Sequence, residues 1–406
     1  MTASRRLSIC YVVPGHDLLA SVGPTRNVLS LARSLSRHAD VTVAFRRVNK
    51  PDIPPGLRAL EIQPAATATT IDDSAMRGVS IPEFVNFIGS LRRFARRELR
   101  EFDVVLEKSW LLSGYVSSLC RRRGQLGVPI ENIVPNAAQA ARGQLMKLLR
   151  LKAGSWLAGR LLRSAPLVIA ETEFLRKEIS VFWKIPFERI AVVDLGVDRE
   201  LFRPKDQGAA RQALGIDPSA TVLLYVGVLD YTHNLAPAIS ALGSSGLPGL
   251  ELHVVGDGQR GAEYQILAKD AGANVRFHGR VAHRQVPQWI AASDLCLAPY
   301  DASAFASGEL GYATMKIPEY LSAGRAVVSV PSGRVALLVK DGVTGFLFGN
   351  EAANWGKFLR DMPARARLQA MGQAAAATRL QSWDDTADAY FEHCLRLLPA
   401  AVRRMI

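Results

Sequence analysis

Lys316 and Glu319 are the two residues of this sequence whose type and spacing best fit the binding of a nucleoside diphosphate. A loop precedes them, and the pattern of residues 316–323 predicts a helix whose first turn would carry both side chains on one face. The N–H groups of Thr314 to Lys316 and the positive helix end could bind a diphosphate, and Lys316 could neutralise the departing phosphate. Glu319 could accept hydrogen bonds from two ribose hydroxyls. The alternative is an ordinary lysine–glutamate pair on a solvated helix.

A second motif, Gly256-Asp257-Gly258-Gln259-Arg260-Gly261, follows a predicted strand and opens a predicted helix. It fits the G-x-G-x-x-G pattern of dinucleotide-binding folds, which is a weak signal when it stands alone. That pattern requires an acidic residue at the end of the next strand, where this sequence has His278 and Gly279, so hydride transfer with a nicotinamide cofactor is disfavoured. The glycines allow either a close approach of the backbone to a ligand or a tight turn without one.

His16 and Asp17 follow the first predicted strand. Their loop could contact a bound ligand, or it could simply be solvated. We count His16 with Lys316 and Glu319 as a candidate catalytic residue, without assigning it as a base. The four cysteines form no C-x-x-C pair, so the sequence contains neither a zinc motif nor a redox motif of that kind.

The elements that must position these residues form two series in which apolar runs alternate with segments of helical period. The predicted strands are 7–13, 41–45, 104–107, 130–134, 167–170, 190–193, 222–226, 250–255, 275–278, 295–298 and 326–330. The predicted helices are 25–37, 84–101, 111–123, 173–183, 235–242, 261–271, 284–292 and 316–323. This alternation predicts an α/β protein with two doubly wound, Rossmann-like domains that face each other across a cleft. We predict a first domain over residues 1–196, a linker over 197–208, a second domain over 209–385 and a helix at 386–406 that could cross back to the first domain.

The charge of the chain is unevenly distributed. The 406 residues have a formal net charge of +13, and residues 121–163 contain nine Lys or Arg but one acidic residue, Glu131. Because these cations alternate with apolar residues at helical spacing, the segment fits either an anionic membrane surface or an amphipathic helix packed on the sheet. No nucleic-acid-binding motif accompanies it, so a nucleic-acid partner is disfavoured. No apolar run reaches the ~18 residues of a membrane span, and we expect a cytoplasmic protein that could be peripheral at the inner membrane face.

Over most of its length the sequence resembles glycosyltransferase family 4. The resemblance rests on an ordered series of motifs more than on any single motif. In chain order these are Val22-Gly23-Pro24-Thr25-Arg26-Asn27, Leu195-Gly196-Val197-Asp198 with Phe202-Arg203-Pro204, Tyr225-Val226-Gly227, Val255-Gly256-Asp257-Gly258, Phe277-His278-Gly279-Arg280-Val281, and the segments 292–299, 315–325 and 341–347.

The resemblance implies a GT-B fold, a UDP-, GDP- or other nucleotide-sugar donor, retention of anomeric configuration, and no metal or other cofactor. It also implies an acceptor that is a glycan, a lipid-linked intermediate of cell-envelope polysaccharide synthesis or a small molecule. It assigns acceptor binding to residues 1–196 and nucleotide-sugar binding to residues 209–385, and the loop with His16 and Asp17 could contact the acceptor or the donor sugar. By position, Glu319 would bind the ribose, Arg280 and Val281 would border the base, and Gly23 would let a loop approach the donor. The donor-binding residues predicted in this way are Gly23, Gly227, His233, Gly256, Gly258, Arg280, Val281, Glu309, Thr314, Met315, Lys316 and Glu319.

The sequence departs from the family pattern in three ways. Gly311 replaces the first of two glutamates separated by seven residues, with Glu309 two residues away. Val228 and His233 replace an Arg and a Lys after the strand that opens the second domain, and Glu131-Asn132 occupies the neighbourhood of a missing first-domain histidine. Two alternatives to a transferase therefore stay open: a nucleotide-sugar epimerase or phosphorylase on the same scaffold, and a non-catalytic binding subunit.

Overall fold

The computed structural model describes residues 5–18, 23–48, 53–63, 80–134, 145–304 and 308–404. The strands are β1 (Leu7–Val13), β2 (Ala39–Phe45), β3 (Arg58–Glu61), β4 (Val104–Lys108), β5 (Leu126–Glu131), β6 (Val168–Ala170), β7 (Ile190–Val192), β8 (Thr221–Val226), β9 (Leu250–Val255), β10 (Val275–Phe277), β11 (Leu295–Ala298), β12 (Ala326–Ser329) and β13 (Gly345–Leu347). The α-helices are α1 (Gly23–Leu35), α2 (Ile81–Arg97), α3 (Tyr115–Arg121), α4 (Leu145–Arg163), α5 (Glu173–Trp183), α6 (Gln207–Leu214), α7 (Ala236–Ser245), α8 (Gly261–Asp270), α9 (Val286–Ala292), α10 (Lys316–Ser322), α11 (Val335–Leu338), α12 (Ala352–Arg360), α13 (Arg365–Ala376), α14 (Trp383–Leu397) and α15 (Ala400–Arg403).

The chain divides into two compact units. The first consists of residues 1–195, 311–313 and 383–406, and the second of residues 196–310 and 314–382. Each unit contains one parallel sheet. The predicted α/β class with two doubly wound sheets is therefore confirmed.

The first unit has a seven-stranded sheet with the order β3-β2-β1-β4-β5-β6-β7. Strands β1, β4 and β5 are buried along almost their whole length, as expected for parallel strands that helices cover on both faces. Helices α2 and α3 cover one face, where Phe87 and Trp110 pack against Val12 of β1. Helix α14 packs against α1, and Arg37 beyond the end of α1 lies 2.9 Å from Asp388 of α14.

The second unit has a six-stranded sheet with the order β10-β9-β8-β11-β12-β13. Its main core packs side chains of β8 and β9 against helices α7, α8 and α12. Strand β8 has β9 on one side and β11 on the other, so the strand order reverses between β8 and β11. In open sheets of this kind, ligands bind outside the carboxyl ends of the strands at the reversal point. The carboxyl ends of β8 and β11 are therefore the place where the second unit should bind a ligand.

The sequence predictions fail mainly where short or irregular strands occur. Strand β5 lies at Leu126–Glu131, whereas we predicted residues 130–134, because Gly127 and Pro129 interrupt its apolar pattern. Gly127 is required there, since a Cβ atom would lie 2.6 Å from the Cα atom of Ser117 in α3. Helix α6 starts inside the predicted linker because Asp206 caps it, accepting a 2.6 Å hydrogen bond from the Ala209 amide.

Candidate functional site

The Lys316 side chain lies at the carboxyl end of β8, at the reversal point of the second sheet. Its Nζ atom is 3.1 Å from the Tyr225 hydroxyl oxygen and 4.2 Å from the centre of the Tyr225 ring. The centre of the Tyr300 ring, beyond the end of β11, is 5.5 Å away. The Tyr225 hydroxyl in turn donates to the carbonyl oxygen of Val228 at 2.7 Å. Two aromatic rings from neighbouring strand ends therefore hold the ammonium group by cation–π contacts and one hydrogen bond.

Backbone packing beside Lys316 explains two of the predicted glycines. Gly227 has a φ of +150°, which side chains rarely permit, and a Cβ atom there would lie 2.7 Å from Lys316 Nζ. A Cβ on Gly256 would lie 1.9 Å from the Gly227 carbonyl oxygen, and one on Gly258 would lie 2.3 Å from that of Leu229. The nearest neighbours of Gly256 and Gly258 are thus backbone atoms. Their role in this unit is to let the loops after β8 and β9 pack closely.

The electrostatics of Lys316 are unusual for a lysine. Burial lowers its pKa to about 7, although the nearby carboxylates of Asp230 and Glu319 favour the charged form. Near neutral pH the ammonium is therefore in balance with the neutral amine. A phosphate anion bound beside it would shift that balance towards the charged form.

His233 and Asp230 form a hydrogen-bonded pair in the loop after β8. Nδ1 of His233 is 2.8 Å from Oδ1 of Asp230, and the same carboxylate oxygen accepts hydrogen bonds from the amide and hydroxyl of Thr232 at 2.9 and 2.6 Å. These bonds help to hold the pKa of Asp230 well below its usual range. Burial, together with the charge of Lys316, lowers the pKa of His233 to about 4. Near neutral pH, His233 is therefore uncharged when no ligand is bound.

Helix α10 places Glu319 on its first turn, as the sequence predicted. Glu319 Oε1 lies 3.6 Å from His283 Nε2, and its side chain retains 13% exposure. The Tyr320 hydroxyl fixes the helix to β8 by accepting a 2.9 Å hydrogen bond from the Val226 amide. Met315 occupies the position before the helix and provides no side-chain cap. Because α10 has seven residues, few peptide dipoles are aligned, and Lys316 supplies most of the positive charge.

The loop before α10 is fixed through Thr314. This buried residue shares a hydrogen bond with the hydroxyl of Tyr300. Glu309, earlier in the same loop, is exposed to solvent. Beyond β10, Arg280 is exposed and Val281 is half-buried, and the preceding Gly279 accepts a 2.7 Å hydrogen bond from the amide of Gly256.

Two predicted residues belong to the first unit. Gly23 is the first residue of α1. His16 follows β1 and is buried, and its carbonyl oxygen accepts a 3.0 Å hydrogen bond from the amide of Arg46. The Arg46 guanidinium binds both carboxylate oxygens of Asp17 at 2.7 and 2.6 Å. This bidentate pair gives Asp17 a structural partner, which the sequence did not reveal. Glu131 ends β5 and is buried, which raises its pKa to about 8.

The second unit thus brings Lys316, Gly227, His233, Thr314 and Glu319 together around two strand ends. Sequence reasoning missed Tyr225, Tyr300 and Asp230, whose contacts hold the cationic groups in place. Within the described part of the chain, no cluster of three or more His, Cys, Asp or Glu side chains is placed to bind a metal ion. Among the same residues, no helix combines the length and apolarity needed to cross a bilayer.

Known proteins resemble this chain in sequence and in fold. A family model described as Glycosyl transferases group 1 matches residues 220–361. The D-inositol 3-phosphate glycosyltransferase of Mycobacterium avium (strain 104) is 30% identical over 319 residues, which cover 74% of this chain and 71% of that protein. Sucrose-phosphate synthase from Thermosynechococcus elongatus superposes with a TM-score of 0.78 at 19% identity, covering 97% of this chain and 99% of the other. Anabaena Alr3699/HepE in complex with UDP and glucose superposes with a TM-score of 0.72 at 18% identity, covering 96% and 99%.

Proposed function

This chain belongs to the group 1 glycosyl transferases, or glycosyltransferase family 4, and we propose that it transfers a sugar with retention to a lipid-linked or cell-surface glycan. It is a glycosyltransferase that uses a nucleotide sugar. The donor is a UDP- or GDP-sugar whose diphosphate binds beside Lys316 in the second unit. Support for this donor class comes from the cation at the reversal point of the sheet and from the UDP in the similar Anabaena structure.

The position of Lys316 is the observation that carries the proposal. When the bond between the sugar carbon and the β-phosphate oxygen breaks, negative charge develops on the departing diphosphate. The Lys316 ammonium, held by Tyr225 and Tyr300, is preorganised to stabilise that charge. Glu319 accepts hydrogen bonds from the ribose hydroxyls, and Arg280 and Val281 border the base. With this protein-supplied charge, catalysis requires no metal ion.

Retention follows from the order of events at the sugar. The oxocarbenium-like centre is stabilised while the diphosphate leaves, and the acceptor hydroxyl attacks from the side that the diphosphate vacates. The departing diphosphate can take the proton of that hydroxyl, so no pair of buried carboxylic acids is required. Proton NMR of the first-formed product shows whether the anomeric configuration is retained or inverted. A product with the donor's anomeric configuration is expected, and an inverted product would contradict the proposal.

Helix α4 supports an acceptor at an anionic membrane surface. One face of α4 is packed, with Leu151 and Leu162 buried. On the opposite face Leu149 and Trp156 are 51% and 63% exposed, and the Arg160 guanidinium lies 5.2 Å from the centre of the Trp156 ring. The helix contains five cations and no acidic residue. An outward face that mixes exposed apolar side chains with cations fits the headgroup region of anionic lipids, so we place the enzyme peripherally at the cytoplasmic face of a membrane.

Sedimentation with vesicles tests the proposed binding to an anionic membrane surface. We expect the protein to co-sediment with phosphatidylglycerol vesicles at low salt, and we expect Trp156→Ser to reduce the bound fraction several-fold. Ile266→Ser is the matched control, because Ile266 is also 63% exposed but lies on α8 of the second unit. Equal binding of the wild type to neutral and anionic vesicles would contradict the membrane proposal.

A binding screen tests the donor proposal. Isothermal titration calorimetry with UDP, GDP and their hexose conjugates should identify at least one ligand with micromolar affinity. Addition of EDTA should leave both binding and turnover unchanged. Absence of binding by every nucleotide would refute the assignment of the diphosphate to the second unit.

A further inference from the structure

The loop after β8 contains a histidine and an aspartate that are hydrogen-bonded to each other. His233 and Asp230 stand at the carboxyl end of the strand that also ends beside Lys316. The carboxylate of Asp230 is ionised and can only accept hydrogen bonds, so Nδ1 of His233 must carry a proton and donate it at 2.8 Å. This bond fixes the ring orientation and the tautomer in the way that a carboxylate orients the histidine of a hydrolase triad.

The groups around the imidazole come from four structural elements. Tyr225 of β8 and Tyr300 after β11 lie with ring centres 6.0 and 5.1 Å from that of His233. Tyr264 of α8 donates a 2.8 Å hydrogen bond to the His233 carbonyl oxygen. The charged groups of this neighbourhood are Asp230, Lys316 of α10 and Arg260, which lies 3.3 Å from Asn234, the residue after His233. The His233 side chain itself is only 10% exposed.

We propose that Asp230 and His233 form a dyad that supplies a second positive charge for the diphosphate, because His233 takes up a proton when the nucleotide binds. The inference rests on the proposed function, since it assumes that a nucleoside diphosphate binds beside Lys316. The proton comes from the buffer and is added to Nε2, so the imidazole becomes an imidazolium whose second N–H bond remains directed at Asp230. Apart from this new N–H bond, no covalent bond of the protein or the nucleotide changes in this step.

His233 takes up the proton because of the balance between two cations, Lys316 and the imidazolium, and one anion, the diphosphate. Without a ligand, burial is the main penalty on a charged His233, and repulsion by Lys316 adds to it, although Asp230 favours the charged form. A fully ionised diphosphate attracts both groups and removes the penalty. The carboxylate of Asp230 stabilises the imidazolium from the other side of the ring. At this position, the dyad therefore does what a permanently charged lysine would do, but only while the ligand is present.

Isothermal titration calorimetry in several buffers gives the number of protons that the protein takes up when the nucleotide binds. We would titrate UDP, with GDP in parallel, at pH 8 in HEPES, tricine and Tris, whose ionisation enthalpies differ and which do not resemble the ligand. At this pH a terminal phosphate, with a second pKa of about 6, is already ionised, so any proton taken up belongs to the protein. We expect the wild type to take up between one and two protons, shared by His233 and Lys316. Its affinity should fall by about tenfold per pH unit for each proton taken up.

Two variants assign the uptake to the dyad. His233→Gln and Asp230→Asn should each reduce the uptake by up to one proton, and the double variant should lose no more than either single variant. His393→Gln, on α14 of the first unit, is the control and should take up as many protons as the wild type. The Asp230 side chain is 36% exposed, so Asp230→Asn decides the question if His233→Gln fails to fold.

Three results would overturn the inference. If the binding heats of the wild type did not depend on the buffer, nucleotide binding would take up no proton. If His233→Gln or Asp230→Asn took up as many protons as the wild type, the proton would not belong to the dyad. Failure of the wild type to bind any nucleotide would overturn the proposed function and this inference together, whereas the first two results leave the proposed function intact.

Discussion

Replacement of Lys316 by methionine should stabilise the empty protein while it weakens nucleotide binding. Methionine keeps most of the volume of the side chain and removes its charge. The pKa of Lys316 is about 7, compared with about 10.4 for an ordinary lysine. At about 1.4 kcal/mol per pKa unit, the charged ammonium costs the folded chain up to about 4 to 5 kcal/mol. Because Lys316 is only partly buried, solvent screening reduces this to about 2 to 3 kcal/mol.

The methionine variant also loses some favourable contacts. The cation–π contacts with Tyr225 and Tyr300 contribute roughly 1 kcal/mol, which leaves a net gain of about 1 to 2 kcal/mol. Tyr225 keeps its hydrogen bond to the Val228 carbonyl, so no buried hydroxyl is left without a partner. For a unit of about 180 residues, this gain corresponds to a rise in melting temperature of roughly 3 to 6 °C.

The pH dependence of this gain has a definite sign. Below pH 7 the lysine is charged in both the folded and the unfolded chain, and the cost is at its maximum. Between about pH 7 and 10 the unfolded chain binds a proton that the folded chain lacks, so wild-type stability rises with pH relative to the variant. The advantage of Lys316→Met should therefore be largest at pH 6 and should disappear by about pH 10.

Differential scanning calorimetry from pH 6 to pH 10, with and without UDP, is the assay. Lys269→Met serves as the control, because Lys269 is exposed on α8 of the same unit. Loss of a charged hydrogen bond to phosphate should weaken UDP binding by about 1.5 to 3 kcal/mol, so UDP should raise the melting temperature of the variant far less than that of the wild type. A variant that melts no higher than the wild type at pH 6 would refute the burial argument. UDP affinity within twofold of wild type would refute the phosphate contact.

Two further substitutions test the other parts of the second unit. Glu319→Ala should weaken nucleotide binding by about 1 to 3 kcal/mol but should leave binding of inorganic pyrophosphate unchanged, as measured by calorimetry; an equal loss for both ligands would exclude a ribose contact. Gly256→Ala should destabilise the second unit by more than about 3 kcal/mol in urea titrations, because the new Cβ would meet the Gly227 carbonyl oxygen at 1.9 Å. Gly215→Ala, with open space around the Cβ position but a φ of +64°, should cost only about 1 to 2 kcal/mol, and similar costs at both positions would contradict the packing argument.

The sequence predicted the architecture well because buried parallel strands are apolar along their whole length and are bounded by turn residues. Strand β9 was predicted with both of its ends, since Gly249 and Gly256 flank a segment in which only Glu251 and His253 are not apolar. Strands β3 and β13 were missed. Residues 58–61 are only partly covered at the sheet edge, and residues 345–347 form a strand of three residues. Neither gives a periodic signal that is distinguishable from a loop.

The candidate site could be predicted only in part. The spacing of Lys316 and Glu319 was sufficient to place both on one turn of a helix. Tyr225 was part of a family motif, but its contact with Lys316 gave no signal, because an aromatic residue at the end of a buried strand has the same sequence pattern as an ordinary core residue. The contact between His233 and Asp230 was also hidden, since it depends on the conformation of a loop that has no period.

The depressed pKa values of Lys316 and His233 point to a preference for diphosphates over monophosphates. Both side chains carry an energetic cost when they are charged without a ligand, which Asp230 offsets only in part, and a bound anion would offset more of it. A nucleoside monophosphate brings one phosphate group, so it can neutralise at most part of this charge and should take up fewer protons. UMP should therefore bind more weakly than UDP by more than the loss of one hydrogen bond, and the difference should shrink in His233→Gln. If UMP and UDP bound with equal affinity and equal proton uptake at pH 8, the two cations could not both contact the diphosphate.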